Sequence, residues 1–378
     1  MNGPDILLSA GEASGDHHGA ALARALRRRW PGARLWGLGG PGMEAEGVEL
    51  LAGLDRLAVM GFAEVVRHLP YFAGLLRRMG RAIDARRPDL VVPIDYPGFN
   101  MRLAARAAGA GVPVLYYVAP QVWAWRRGRA RRLAHTTDRV AVILPFEAPL
   151  LEAAGVDAEF VGHPLLGERP ATVAREELCR ALGVDPDCPL IALLPGSRRQ
   201  ELDRHLDRFV AAGRAAAANT GASLAIARAP GVDAGAIGAT GIPSSTDAWA
   251  LLAHARAALV KSGTGTLQAA IAGTPMVVAY RTSGLTYGLA RTVVRVPWVS
   301  LVNLVAGAAV VPEYIQEDAS AHALAGALVR IVPDGAEREA MREGLARVRA
   351  ALAPPTGSDP AERVAGIAAE LLAARGAG

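Results

Sequence analysis

Ser262-Gly263-Thr264-Gly265-Thr266-Leu267-Gln268 joins the short apolar run Ala257 to Val260 to the helical pattern Leu267 to Ala272. Small residues at such a strand-to-helix junction let backbone N–H groups converge on an anion at the positive end of the helix dipole. A second junction precedes it, where Leu190-Ile191-Ala192-Leu193-Leu194 runs into Pro195-Gly196-Ser197-Arg198 and a long polar helix. A third lies near the start of the chain, where Ile6-Leu7-Leu8-Ser9 leads into Gly11-Glu12-Ala13-Ser14-Gly15-Asp16. Taken singly, each is ordinary α/β punctuation. Two of them in one half suggest a nucleotide diphosphate as the ligand of that half.

Working outward, short apolar runs alternate with longer helical patterns. Strands are expected near 5–9, 34–38, 89–94, 113–118, 139–144 and 158–161, with helices such as 18–29 and 73–86 between them. The pattern changes at Gly162-His163-Pro164-Leu165, which opens a polar connection through Pro170; a new series then starts near Leu190, with strands at 223–227, 257–260 and 275–279. Alternation of this kind predicts parallel sheets wrapped by helices. The fold class is therefore α/β, with two doubly wound, Rossmann-like domains facing a central cleft. Their expected limits are residues 1–165 and 166–345, followed by a helical tail at 346–378 that is broken at Pro354-Pro355 and Pro360 and packs on the first domain or on a partner subunit. Ala229 to Ser245, rich in Gly, Ala and Pro, carries no readable pattern. In open sheets of this type ligands gather beyond the carboxyl ends of the strands, where all three loops lie.

With 378 residues and 51% hydrophobic content the chain is long enough to bury two cores. A formal charge of +5 comes from arginine clusters such as Arg27-Arg28-Arg29, Arg77-Arg78 and Arg126 to Arg132, which favour anionic partners. No zinc-finger spacing and no basic stretch interleaved with aromatics is present, so nucleic acid is set aside. Cys179 and Cys188 fit neither a metal site nor a disulfide framework. The chain enters a strand without a leader-like start, and no apolar run reaches the roughly 18 residues of a spanning helix. Cytoplasmic residence is expected, with peripheral contact to a membrane left open.

Asp95 is the candidate reactive group. It follows Leu90-Val91-Val92-Pro93-Ile94 and precedes Tyr96-Pro97-Gly98-Phe99-Asn100, so it stands at a strand's carboxyl end, where a carboxylate can take a proton from a substrate hydroxyl. An aspartate there can equally form the turn by accepting nearby backbone N–H groups. The histidines are scattered and form no metal constellation. Asp185-Pro186-Asp187 looks like the acidic pair of metal-dependent sugar transferases but falls in a turn, so no metal is expected. Met60 to Arg78 mixes apolar residues with arginines, as does an interfacial segment that holds acyl chains against anionic headgroups, or equally an amphipathic helix packed on a core. Trp123 and Trp125 beside Arg126 carry the same two readings.

In chain order these motifs resemble the lipid-A-disaccharide synthase family, inverting glycosyltransferases of the GT-B fold. Besides the three loops, the likeness rests on Gly39-Gly40-Pro41, Met60-Gly61-Phe62-Ala63-Glu64-Val65, Ile94 to Asn100, Pro120-Gln121-Val122-Trp123-Ala124-Trp125-Arg126, Leu144-Pro145-Phe146-Glu147 and Gly162-His163-Pro164. It continues through Pro275 to Arg281 and Ser300 to Gly307. The resemblance implies transfer of 2,3-diacylglucosamine from UDP-2,3-diacylglucosamine to the 6-hydroxyl of 2,3-diacylglucosamine 1-phosphate (lipid X), with release of UDP. It implies Asp95 as general base, and Ser197, Arg198, Ser262, Gly263, Thr264, Gln268, Asn303 and Glu313 on the donor. Glu12, Ser14, Gly15, Met60, Phe62, Trp123, Trp125 and Arg126 would line the acceptor side or the cleft. No cofactor and no metal is implied; peripheral association with the cytoplasmic face of the inner membrane is, and a homodimer is left open.

The chain departs from the family at four places. Gln268 stands where a glutamate usually holds the ribose hydroxyls, Gly98 replaces a frequent second acid beside Asp95, Val302 replaces a frequent proline, and His17-His18 fill positions that are often apolar. Two other readings stay open: a UDP-sugar epimerase of the same fold, and a catalytically inactive protein that binds UDP-sugar or lipid. A nicotinamide oxidoreductase is disfavoured, because no strand is followed by a complete Gly-x-Gly-x-x-Gly turn.

Overall fold

The computed structural model describes residues 3–54, 69–120, 127–167, 173–229, 231–283, 287, 297–355 and 357–376. Met60, Phe62, Trp123, Trp125 and Arg126 lie outside the described residues. The chain forms two compact units: Met1–Pro164 together with Ala353–Gly378, and Leu165–Leu352.

The first unit is built on seven strands: β1 (Asp5–Ala10), β2 (Arg34–Leu38), β3 (Glu49–Ala52), β4 (Leu90–Ile94), β5 (Leu115–Tyr117), β6 (Arg139–Val142) and β7 (Ala158–Phe160). They pair in the order β3-β2-β1-β4-β5-β6-β7, all parallel. β1 and β4 are buried along their whole length, which is why they read as unbroken apolar runs instead of alternating ones. The strand order reverses between β1 and β4, where Ser9 lies opposite Pro93 and Ala10 opposite Ile94. That reversal opens a crevice at their carboxyl ends.

The helix Ala13–Arg29 begins five residues earlier than the periodicity predicts, because Asp16 does not disrupt its first turn. The Asp16 carboxylate instead accepts the N–H groups of Gly40 at 2.7 Å, Gly42 at 2.9 Å and Met43 at 3.0 Å, anchoring the Gly39-Gly40-Pro41 loop. The helix Leu69–Arg86 turns Leu75, Met79 and Ile83 into the core and leaves Arg77, Arg78 and Arg81 exposed. For this part of the Met60–Arg78 segment the packed amphipathic helix is therefore what the structure displays, with Tyr71, Phe72 and Leu76 also partly buried against that core.

Pro360 opens the last helix, Pro360–Gly376, instead of breaking one. Proline is tolerated in a first turn, where its missing N–H would have no partner, and Asp359 caps the turn by accepting the Ala361 N–H at 2.8 Å. Val364, Ala365, Ile367 and Ala368 are fully buried in the same cluster as Leu22 and Leu26 of Ala13–Arg29. Arg363 fixes the helix to β7 through Glu159, at 2.5 and 2.8 Å.

The second unit carries β8 (Leu190–Leu194), β9 (Ser223–Ala227), β10 (Ser244–Ser245), β11 (Ala257–Lys261), β12 (Met276–Tyr280) and β13 (Glu313–Ile315). Their order is β10-β9-β8-β11-β12-β13, again all parallel, with the reversal between β8 and β11. The unreadable stretch after Ala229 holds the short helix Ala234–Gly238, capped by Asp233, and the two-residue β10. Asp185 forms the expected turn, its carboxylate accepting the Asp187 N–H at 2.9 Å. No helix among the described residues is long and apolar enough to cross a membrane.

Candidate active site

In the first unit the crevice between β1 and β4 is edged by the loops that carry Glu12 and Asp95. Asp95 and Tyr96 are consecutive non-glycine residues in the left-handed region, with φ of 47° and 49°. Each such residue costs about 1–3 kcal/mol and persists only where neighbours over-determine it. Here the neighbours are plain. The Asp95 N–H donates to the Tyr117 carbonyl at 2.9 Å, and the Asp95 carbonyl accepts from Asn100 Nδ2 at 2.9 Å and the Tyr116 hydroxyl at 2.8 Å. Asn100, fully buried, also shares its amide hydrogens with the carbonyls of Ser9 at 2.9 Å and Ile94 at 3.0 Å, while its Oδ1 accepts the Ser9 hydroxyl at 2.7 Å. One side chain thus pins the carboxyl end of β1 to that of β4.

The Asp95 carboxyl is pushed up to about 6, first by burial and then by the charge of Glu12, with the Tyr96 N–H opposing both. Both readings of this residue fit one geometry: it accepts a turn N–H, and its affinity for protons is set near neutral pH, the range a general base needs. The loop after β1 touches the loop after β4, since a Cβ on Gly11 would stand only 2.1 Å from Cδ1 of the Tyr96 ring.

Ser14 is exposed in the first turn of Ala13–Arg29, whereas Gly15 is buried. A Cβ at Gly15 would meet the Ala10 Cβ at 3.3 Å and the Ile94 carbonyl oxygen at 3.6 Å, so this glycine lets the helix approach the sheet. Of the paired histidines, His17 is exposed, while His18 turns inward to 6.1 Å from the Tyr117 ring. Burial and then His17 lower His18 to about 4; burial and then His18 lower His163 to about 3. Both are neutral at pH 7 and bring no charge to the crevice.

In the second unit the loops after β8 and β11 edge the equivalent crevice. Gly196 and Gly263 have φ of 133° and 147°, which residues with a Cβ rarely adopt. Ser197 and Arg198 are exposed just ahead of the helix Arg199–Thr220, and Thr264 is exposed at the first position of Thr264–Ala272. The N–H groups at the start of a helix carry the positive end of its dipole, so both junctions suit an anion. Gln268 is half-buried one turn beyond Thr264, on the same helix face.

Three predicted donor residues are engaged inside the unit. The Ser262 hydroxyl donates to the Val299 carbonyl at 2.8 Å. Asn303, 1% exposed, donates to the Val311 carbonyl at 2.9 Å and to Glu313 at 2.8 Å, and accepts the N–H groups of Val310 and Val311. Glu313 accepts the N–H groups of Val299 at 2.8 Å and Ser300 at 2.9 Å. In this arrangement the three side chains shape the backbone just after β11 and just ahead of β13.

Residues that the sequence reading did not single out matter as much. Asn100 and Asp16 bind partners 91 and 24 to 27 positions away. Lys261 pairs with Glu201, 60 positions away. Only Lys261 had a signal available, being the sole lysine of the chain.

A family model described as Lipid-A-disaccharide synthetase matches residues 6–356. The lipid-A-disaccharide synthase of Acidobacterium capsulatum is 43% identical over 392 residues, covering 99% of this chain and 98% of that protein. The enzyme of the same name from Myxococcus xanthus is 41% identical, covering 98% of each. Among solved structures, the calicheamicin glycosyltransferase CalG4 has a TM-score of 0.63 at 21% identity, covering 99% of both chains. The UDP-GlcNAc 2-epimerase of Neisseria meningitidis, bound to UDP-GlcNAc, has a TM-score of 0.62 at 10% identity, covering 97% of this chain and 99% of that one. These neighbours share the GT-B fold class. Two parallel sheets with strained or glycine-bearing loops at their reversals, together with a family match over nearly the whole length, lead to one conclusion: the chain is an enzyme that belongs to the lipid-A-disaccharide synthetase family.

Proposed function

We propose that this enzyme transfers 2,3-diacylglucosamine from UDP-2,3-diacylglucosamine to the 6-hydroxyl of 2,3-diacylglucosamine 1-phosphate, giving the disaccharide 1-phosphate and UDP. The observation that carries the reading is the Asp95 carboxylate, held at the β1/β4 reversal by strained backbone and raised to about 6 by burial and Glu12. It takes the proton of the acceptor hydroxyl as that oxygen bonds to the anomeric carbon. The bond from that carbon to the diphosphate breaks on the opposite face, so the configuration inverts and the electron pair leaves with UDP. Charge grows on the diphosphate as this happens, and fixed donors stabilise the transition state more than the ground state. Arg198, Ser197, Thr264 and the first-turn N–H groups of the two junctions are the donors in this reading, with Ser262, Asn303 and Glu313 holding the backbone and Gln268 near the ribose. Glu12 tunes the base. The exposed Arg77, Arg78 and Arg81 favour an anionic membrane surface, where acylated substrates reside, on the cytoplasmic face.

The fold shared with a UDP-GlcNAc 2-epimerase makes epimerisation the second reading. One experiment separates the two. Purified protein in chelator is incubated with the diacylated UDP-sugar, with and without the acceptor, and UDP, disaccharide and epimer are measured. UDP and disaccharide formed only when the acceptor is present are expected; epimer formed from the UDP-sugar alone, or no disaccharide, would overturn the proposal. Arg198→Ala is expected to weaken UDP binding at least about tenfold, the effect of losing one charge-assisted contact.

A further inference from the structure

Lys261 is the only lysine in a chain that otherwise uses arginine for every basic side chain. It ends β11, immediately before the Ser262-Gly263-Thr264 loop. Its Nζ donates to Glu201 Oε1 at 2.8 Å, with both side chains 18% exposed. The other oxygen of the same carboxylate accepts the Ser197 N–H at 2.9 Å. Glu201 also packs into the space a side chain at Gly196 would need, since a Cβ there would lie 2.5 Å from the Glu201 Cβ. One turn further along the helix, His205 Nε2 accepts the Arg281 N–H at 3.0 Å, which fixes the ring proton on Nδ1, where it donates to the Glu201 carbonyl at 2.7 Å. A single helical turn therefore ties together the carboxyl ends of β8, β11 and β12.

The arrangement contains a conflict. Glu201 holds the Gly196-Ser197-Arg198 loop in shape, yet it sets a carboxylate beside the two junctions that are to receive a diphosphate. The ammonium of Lys261 lies at the same place: a Cβ on Gly263 would be 3.4 Å from Nζ. We infer that Lys261 is a positioning residue of the donor site, whose charge neutralises Glu201 so that this carboxylate can clamp the Ser197 loop without repelling the donor's diphosphate. The inference rests on the reading that the second unit holds UDP. Burial alone would raise the Glu201 carboxyl, but Lys261, the Ser197 N–H and Arg198 hold it below its ordinary range, so the clamp is charged at neutral pH. A compact ammonium fits between Glu201, Gly263 and the Tyr280 ring, 5.9 Å away, where a planar guanidinium would need more room.

The test is UDP binding by isothermal titration calorimetry on wild-type protein, Lys261→Met, Glu201→Gln and the double variant, at low and high salt, with KM and kcat for the UDP-sugar and a melting curve for each. In Glu201→Gln the new side chain can still accept the Ser197 N–H through its amide oxygen. Lys261→Met is expected to weaken UDP about tenfold or more at low salt, by leaving a carboxylate uncompensated near the phosphates. KM rises more than kcat falls, and the deficit shrinks at about 1 M salt, where charges separated by more than roughly 3 Å are screened. The double variant is expected to return within about threefold of wild type, the residue of a neutralised pair. Binding by Lys261→Met equal to wild type, a salt-independent deficit, or a double variant as weak as Lys261→Met would overturn the inference, the last by making the ammonium a direct phosphate ligand. Wild-type protein that binds no UDP would overturn the donor-site reading itself and this inference with it.

Discussion

Asp95 is strained in its backbone and disfavoured in its charge. Its carboxyl has a folded value of about 6 against an ordinary 3.8, so the folded protein binds this proton more tightly than the unfolded chain. Stability from this group is therefore gained as pH falls from about 6 towards 4, and the destabilisation is complete above 6. Asn tolerates the left-handed region and cannot ionise. Asp95→Asn is expected to raise the melting temperature at pH 8 but not at pH 4, while lowering kcat by about 100- to 10,000-fold, the usual range for a general base. Scanning fluorimetry at the two pH values together with turnover checks it; unchanged turnover would remove Asp95 from the chemistry. Glu12→Gln takes away the second cause of the shift. The acid limb of kcat/KM, expected near pH 6 in the wild type, should then move to lower pH, which a pH–rate profile reads directly. Asp95 was legible in the sequence because a buried strand, an acid and a proline-containing turn are contiguous. The tuning by Glu12 was not, since it depends on β1 lying beside β4.

Elements were legible where they carry a buried apolar run. The helices Ala13–Arg29 and Leu69–Arg86 were expected with late starts, and β4 and β11 with nearly the right ends, because buried parallel strands give unbroken apolar runs. β3, β10 and β13, of four, two and three residues, are partly exposed edge strands without a buried apolar run and exist through pairing with longer neighbours, whereas the equally short β5, fully buried, was expected. The loops at the strand ends were legible as candidate anion sites, but not the ties between them: Asn100, Glu201, His205, Asn303 and Glu313 each bind groups from other elements. Asn100→Leu keeps the approximate volume and leaves the carbonyls of Ser9, Ile94 and Asp95 without their shared donor. At about 1–3 kcal/mol for a buried polar group left unpaired, destabilisation of around 3 kcal/mol is expected. A larger loss of kcat than of UDP affinity should accompany it, because only the first unit's crevice is disturbed. Urea denaturation with turnover and UDP titration checks both, and intact kcat would contradict the role given to this tie.

The molecule as a whole is divided unevenly by its chain. The second unit is one continuous segment, whereas the first is assembled from both ends. The change of pattern at Gly162 to Leu165 marked the first crossing in the sequence. The second, after Leu352, showed in the sequence only as the helical break at Pro354-Pro355, because helices lie on both sides of it. A chain ended after Leu352 would lack the fully buried Val364, Ala365, Ile367 and Ala368 and uncover Leu22 and Leu26. Differential scanning calorimetry of that shortened protein is expected to lose or markedly lower the first unit's transition while keeping that of the second; two undiminished transitions would show the last helix to be dispensable. The split has a further consequence during synthesis. A ribosome delivers nearly all of the first unit early, then the whole second unit, and only afterwards the helix Pro360–Gly376 that closes the groove along Ala13–Arg29. At about 5–20 residues per second that groove stays open for roughly 10–40 s. During that window the nascent chain is a natural client for chaperones, and a stalled or prematurely stopped message would leave them holding it.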